Sequence, residues 1–271
     1  MTENNVSALT NPNLANNLVD QALAVSEAPV EPARITEPFN NTVNLPGGFI
    51  TASGEIARVA EVRELNGRDE EALSKVQIVS RLFIGILSRA VVKLGVKNVT
   101  EEDLDSLLAG DRDALLLGIY KSTFGNTVEM YSYCTGCRDE KSVTIDLNTD
   151  IKTKVLIDPI EDRTFTIKGK SSEYLVTLPT GKTQKELSAN PDRTMAELNS
   201  VILEQCVLEI DGSPILTKNQ VKNIGLVDRR TLVDEIFSRN PGPQFDDLKI
   251  PCPQCGGEVV VPVNLGTLFR L

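Results

Sequence analysis

The sequence predicts an α+β fold: internally duplicated helix–strand–Cys-x-x-Cys–strand units joined by a shared zinc-ribbon-like site, with a β-rich middle and an extended N-terminal arm. Three observations lead to it. Two Cys-x-x-Cys pairs, Cys134-Thr135-Gly136-Cys137 and Cys252-Pro253-Gln254-Cys255, each sit between strand-like runs. The helices and turns ahead of each pair recur in the same order at nearly the same spacing. The opening residues 1–42 are rich in Asn, Ala, Ser, Glu and Pro and offer little from which to build a core.

The chain therefore divides into an arm (1–42), a first α+β repeat with its Cys-x-x-Cys hairpin (43–150), and a β-rich insert with a second repeat and hairpin (151–271). The arm reads as disordered. Within it Leu14, Leu18, Ala22 and Val25 recur at helical spacing after Asn11-Pro12, the pattern of a short amphipathic helix that could dock on a neighbouring subunit.

Ordered structure is expected from Val43. A strand over 43–50 turns at Ser53-Gly54 into a second over 55–65, closed by Asn66-Gly67. One helix is expected from about Asp69 to Leu94, its apolar face formed by Leu82, Phe83, Ile86, Leu87, Ala90 and Val91. Thr100-Glu101-Glu102-Asp103 opens a short helix ending near Gly110. Asp111 is then expected to cap a further helix that Gly125-Asn126 stops. Strands flank the first Cys pair. Thr164–Ile167 and Tyr174–Leu178 read as a hairpin, and helices follow at 195–206, 218–223 and 228–238.

The halves mirror each other. Ile86–Val91 pairs with Ile202–Val207, Thr100 precedes Asp111-Arg112 as Thr217 precedes Asp228-Arg229, and each Asp-Arg runs into an apolar helix. Val43-Asn44-Leu45-Pro46-Gly47 is also similar to Val176–Gly181. Matching knuckles in matching halves would meet if the halves pack about a pseudo-twofold axis. Cys206 takes the place of Ala90 on a core helix, so it is read as a small buried hydrophobe.

Cys134, Cys137, Cys252 and Cys255 supply four thiolates, the full set for a tetrahedral structural Zn2+ site. Disulfide and redox use compete with this reading. Redox pairs open a helix after a strand, whereas β-type sequence follows both pairs here. Disulfide frameworks belong to small secreted chains, and this sequence shows no signal-peptide pattern.

The chain contains no histidine. That removes His ligands, Ser-His-Asp and Cys-His catalysis, and the usual general base near neutral pH. Four Cys ligands leave a zinc ion no open position for hydrolysis. The net charge of −10 argues against nucleic-acid and membrane partners, and no apolar run has the length of a membrane span. Thr180-Gly181-Lys182-Thr183 and Gly169-Lys170-Ser171 imitate a phosphate loop but lack its leading glycine. Both are expected in turns, without the strand–loop–helix order that phosphate binding uses.

A Leu-rich helix opening with Asp-Arg, then Phe124-Gly125-Asn126, a strand, Cys-x-x-Cys and a second strand form a distinctive series. The ending Cys252-Pro253-Gln254-Cys255-Gly256-Gly257, with Val261–Gly266 and Leu268-Phe269-Arg270, adds to it, as does Val62–Glu71. Over roughly residues 43–271 the chain resembles the baseplate proteins of T-even-like contractile phages. The resemblance implies a non-enzymatic role in the tail baseplate hub, as a hub subunit or a hub assembly chaperone. Its partners would be baseplate hub and tail proteins of the same phage, its location the virion tail, and its assembly in the host cytoplasm. It carries over no catalytic residue and supports the four cysteines as ligands. The alternative is a zinc-ribbon nucleic-acid-binding or transcription-associated protein, against which the charge balance speaks.

Overall fold

The computed structural model describes residue 16, residues 40–76 and residues 78–269. Apart from Asn16, the arm and its proposed docking helix lie outside the described residues, except that Asn40–Thr42 already belong to the first strand. Pro38–Leu271 form one compact unit of mixed helix and strand.

The first half begins with β1 (Asn40–Ile50) and β2 (Ile56–Arg63), followed by α1 (Gly67–Leu73) and α2 (Val79–Ala90). Then come β3 (Val91–Leu94), β4 (Lys97–Asn98), α3 (Glu101–Ser106) and α4 (Ala109–Phe124). β5 (Thr127–Tyr133) and β6 (Glu140–Asp146) carry the first Cys pair between them. After β7 (Thr153–Lys154), the second half runs β8 (Thr164–Lys168), β9 (Glu173–Thr177), α5 (Gly181–Ala189) and α6 (Met195–Cys206). It continues with β10 (Val207–Ile210), β11 (Ser213–Pro214), α7 (Lys218–Lys222) and α8 (Leu226–Arg239). β12 (Gly242–Pro243) pairs back with β7, and β13 (Leu248–Pro251) and β14 (Glu258–Val261) hold the second Cys pair. A last turn of helix, α9 (Leu265–Leu268), follows.

Both halves thus follow one order: two strands, two helices, two strands, two helices, then a Cys-x-x-Cys hairpin. Their sheets also match, β1-β2-β3-β4 in one and β8-β9-β10-β11 in the other, with antiparallel neighbours. In this register β1 stands opposite β8. The similarity of 43–47 to 176–181 therefore aligns an edge strand with an inner one and is not part of the correspondence.

The single helix expected over 69–94 is two helices and a strand. α1 breaks at Ser74, and Val91 turns from helix to extended backbone at φ −81°, ψ 123°. β-branched Val91 and Val92 suit a sheet better than a helix terminus. Val91 pairs with Val62. The same switch occurs after Cys206, where Val207 adopts φ −83°, ψ 122°. Cys206 and Ala90 are both the last residue of their helix and fully buried. Burial pushes the Cys206 thiol up to about 12, as a small hydrophobe in a core requires.

Asp111 does not cap α4. Leu108 is the residue before the helix, and Asp111 lies one turn inside it with its carboxylate buried. There it accepts a 2.6 Å hydrogen bond from the Gly47 N–H, tying α4 to the bulge of β1. Asp228 holds the same place in α8 and accepts from Lys170 N–H, Ser171 N–H and the Tyr174 hydroxyl. Each following arginine reaches back to a carbonyl eight residues earlier, Arg112 to Leu104 and Arg229 to Val221. Asp-Arg is thus a clasp between helix and sheet corner in each half.

The two clasps differ in satisfaction, and this has a measurable effect. Asp228 is held below the usual carboxylate range, first by the Lys170 N–H. Asp111 is pushed up to about 6 by burial, and its Oδ2 has no partner among the described residues. Asp113 is also pushed up to about 6 by burial. A carboxyl raised in the folded state stabilises the fold below its unfolded pKa and loses that contribution as pH rises through the folded value. Stability should therefore increase by roughly 1 kcal/mol per carboxyl from pH 7 to pH 5. Asp111→Asn should flatten that slope by about half in denaturant titrations at the two pH values. An unchanged slope would remove Asp111 as its source.

The cores explain how the halves are arranged. One apolar cluster joins β1–β3, α2, α4 and both Cys hairpins, with Ile86, Leu115, Ile119, Ile145 and Val259 fully buried. A second, around Tyr174, Val176, Leu203 and Leu232, belongs to the second half alone. The second Cys hairpin therefore leaves its own half and packs into the core of the first. α4 reaches that core closely because Gly118 lets Val43 in: a Cβ there would lie 2.3 Å from Val43 Cγ2.

Thr180-Gly181-Lys182-Thr183 is not a turn between strands. It opens α5 after β9, so the strand–loop–helix order is present. No room for a phosphate exists, however. The Gly181 N–H donates to the Leu107 carbonyl, and a Cβ at Gly181 would lie 2.5 Å from the Leu104 carbonyl oxygen.

Candidate metal centre

The four cysteines predicted as ligands come together. One sulfur from each of Cys134, Cys137, Cys252 and Cys255 lies within 4.8 Å of every other. Cys134 and Cys252 are buried, Cys137 is half-buried and Cys255 is exposed. All five cysteines of the chain are free thiols, including the Cys134 and Cys255 pair, whose sulfurs stand 3.4 Å apart.

Each knuckle is made the same way. β5 and β6 are in register to Tyr133↔Glu140, and β13 and β14 to Pro251↔Glu258. Inside the first tip the Cys134 N–H donates to the Asp139 carbonyl, and the Arg138 N–H donates to the Cys134 carbonyl. Inside the second, Cys252 N–H donates to Gly257 and Gly256 N–H to Cys252. The residue after each second cysteine is left-handed, Arg138 at φ 59° and Gly256 at φ 71°. That residue reverses the chain so that both sulfurs face one side. Glycine supplies this conformation freely in the second knuckle, and Arg138 accepts it at some cost in the first.

The tips meet across a close approach. Cys134 bridges Val259, the Thr135 N–H donates to the Glu258 carbonyl at 2.9 Å, and the Ser132 hydroxyl donates to the Val260 carbonyl at 2.6 Å. Gly136 and Gly257 face one another: a Cβ on Gly136 would lie 3.0 Å from Cys255 Sγ, and one on Gly257 3.2 Å from the Gly136 Cα. The mirror of the Thr135 bond cannot form, because its place in the second knuckle belongs to Pro253, which has no N–H.

The electrostatics favour thiolate at Cys134 and Cys252, whereas the neighbouring sulfurs, led by Cys134, push the Cys255 thiol up to about 11. Backbone N–H groups point at sulfur, from Gly136 to Cys134 at 3.3 Å and from Gly257 to Cys255 at 3.4 Å. The N–H groups of Cys137 and Gly136 help bring the Cys134 thiol down to about 6. Cys252 is lowered as well, first by the Gln254 N–H. Tetrahedral Zn–S bonds place sulfurs about 3.8 Å apart, close to the spacing here, so the donor set fits one four-coordinate ion. Four sulfurs in a chain without histidine leave no position for a bound water.

The sequence picked out the four cysteines that cluster and the glycine within the first pair as a turn residue. It did not show that Gly136 lets the tips touch, nor Arg138, whose left-handed backbone no local pattern announces.

A family model described as T4 bacteriophage base plate protein matches residues 87–270. No curated protein and no solved structure gives a significant match. The matched span takes in most of both halves and all four cysteines, so the family signature covers the cluster that ties them together. The chain belongs to the family of T4-like phage base plate proteins.

Proposed function

We propose that the chain is a non-enzymatic structural or assembly protein of the baseplate hub of a contractile tail, acting by binding hub and tail proteins of the same phage. The family match carries this reading and favours it over nucleic-acid binding. Among the described residues no helix is long and apolar enough to cross a membrane. The fold is an internal duplication, with repeats at about 43–150 and 151–271, in support of which both halves repeat the element order and the Asp-Arg clasp. Cys134, Cys137, Cys252 and Cys255 hold a structural Zn2+ that clamps the two repeats, supported by the sulfur cluster. The protein works in the virion tail after assembly in the host cytoplasm, and its arm, here the residues 1–39 that precede β1, docks on a neighbouring subunit.

Phage lacking this chain should produce tails without complete baseplates, visible by electron microscopy. Complete baseplates in its absence would refute the reading. A chain lacking residues 1–39 should unfold at the same temperature as the full chain, because β1 begins at Asn40, yet enter baseplates poorly. Normal incorporation of that truncated chain would remove the arm from the account.

A further inference from the structure

The two halves also meet away from the knuckles, and one of these contacts is one-sided. The corner before α4 in the first half docks on the corner before α5 in the second. Leu108 forms an antiparallel bridge with Thr180, the Ala109 N–H donates to the Pro179 carbonyl, and the Gly181 N–H donates to the Leu107 carbonyl. Lys185 of α5 closes the contact with ion pairs of 2.8 Å to both Glu101 and Asp105 of α3.

Each partner in this contact has a structural counterpart in the other half. The corner before α4 corresponds to the corner before α8, where Gly225 stands for Leu108. Leu108 has φ −61°, ψ 147° and Gly225 has φ −59°, ψ 146°, so the second corner already holds the backbone that the first uses for docking. The corner before α5 corresponds to the corner before α1, where Asn66 stands for Thr180 and Gly67 for Gly181. Among the described residues both counterparts are uncovered. A Cβ on Gly67 or Gly225 would meet nothing within 4 Å, and Leu226 and Val227 are 76% and 58% exposed.

The charges correspond too, with signs reversed. Glu101 and Asp105 of α3 are replaced in α7 by Lys218 and Lys222. Their partner Lys185, fifth in α5, is replaced by exposed Glu71, fifth in α1. Among the described residues Lys218 and Lys222 form ion pairs with Glu204, at 3.6 and 3.9 Å. Reversal on both sides of one contact preserves its attraction.

We infer that the corner Ile224–Val227, with Lys218 and Lys222, receives the β2–α1 corner of a second copy of this chain, Leu65–Glu71. The interface is head-to-tail. Gly225 pairs with Asn66 of the next copy, the Gly67 N–H meets the Ile224 carbonyl, and both lysines face Glu71. Such a contact joins unlike surfaces, so it builds a ring or a filament according to the rotation per copy. The inference goes beyond the baseplate reading and stands on the geometry of the chain alone.

Sedimentation velocity of the full purified chain over a concentration series tests it. Larger species should grow with concentration and shrink at high salt, because exposed ion pairs are screened. Lys218→Glu/Lys222→Glu should weaken association at least about tenfold, since like charges then face each other. Adding Glu71→Lys to the same chain should restore it. Leu226→Asp should abolish it with unchanged circular dichroism. A wild-type chain that stays monomeric throughout, assembly indifferent to the charge reversal, or a triple variant no better than the double would overturn the inference.

Discussion

Cys134→Ser and Cys252→Ser should each lower the stability of the purified protein by about 4 kcal/mol when free zinc stands about 1,000-fold above its Kd. For a chain of this size that is a fall of about 8–16 °C in unfolding temperature. The magnitude comes from linkage, since the folded chain brings four sulfurs within 4.8 Å and the unfolded chain separates them. Each loss should be felt in both hairpins, because Cys134 bridges Val259 and both hairpins share one apolar cluster. A strong chelator should reproduce the loss in the wild type and add nothing in the variants. Cys206→Ala provides the contrast. It removes a buried sulfur from the second cluster and should cost packing alone, leaving metal content intact. Equal behaviour of all three variants would mean that the four clustered thiols act only as core residues.

Gly110→Ala should be comparably damaging for a different reason. A Cβ at Gly110 would lie 1.5 Å from the Pro241 carbonyl oxygen, and one at Gly242 would lie 2.6 Å from the Gly110 carbonyl oxygen. Two backbones pass here with no side chain between them. Backbone cannot rotate away as a side-chain end can, so the start of α4 must separate from β12. The expected cost is about 3 kcal/mol or more, the upper end for overpacking. The structural counterpart of Gly110 is Val227, where the second half leaves its corner uncovered and a branched side chain is accommodated. Gly67→Ala is the matching control. Among the described residues nothing lies within 4 Å of its Cβ position, so urea titration should find it neutral or slightly stabilised. A Gly110→Ala protein as stable as the wild type would show that the α4–β12 contact is looser than described.

What the sequence revealed and what it hid follow from the range of the interactions. The Cys-x-x-Cys spacing, the hairpin at 164–177 and the helix stop at Gly125 are local: the residues that specify them are within a few positions of the effect. Gly125 ends α4 at φ 96°, which its lack of a side chain permits. The sheet order of each half was less legible. Val91 and Val207 look like the continuation of an apolar helical face, and only pairing with a neighbouring strand turns them into sheet. Asp111 looks like a cap because it precedes an apolar run. Its role depends on Gly47, far away in the chain, and on burial that no window of sequence displays. Helix α5 was hidden for a similar reason: Gly181-Lys182-Thr183 has poor helical character, and its first turn is held by the carbonyl of Leu107. The repeated spacing correctly suggested that the knuckles could meet. It did not show that the second hairpin packs into the core of the first half.

The central claim is that one zinc ion, bound by both knuckles, holds the two repeats together. Elemental analysis of the purified full chain tests it most directly, with Cys252→Ser measured beside it. The account predicts one zinc per wild-type chain and none in the variant, because three sulfurs from two hairpins no longer close the site. Two zinc ions per wild-type chain would contradict it, as would one zinc retained by the variant, since either result places metal in the knuckles separately. A wild-type chain free of metal, with its cysteines reduced, would contradict it too.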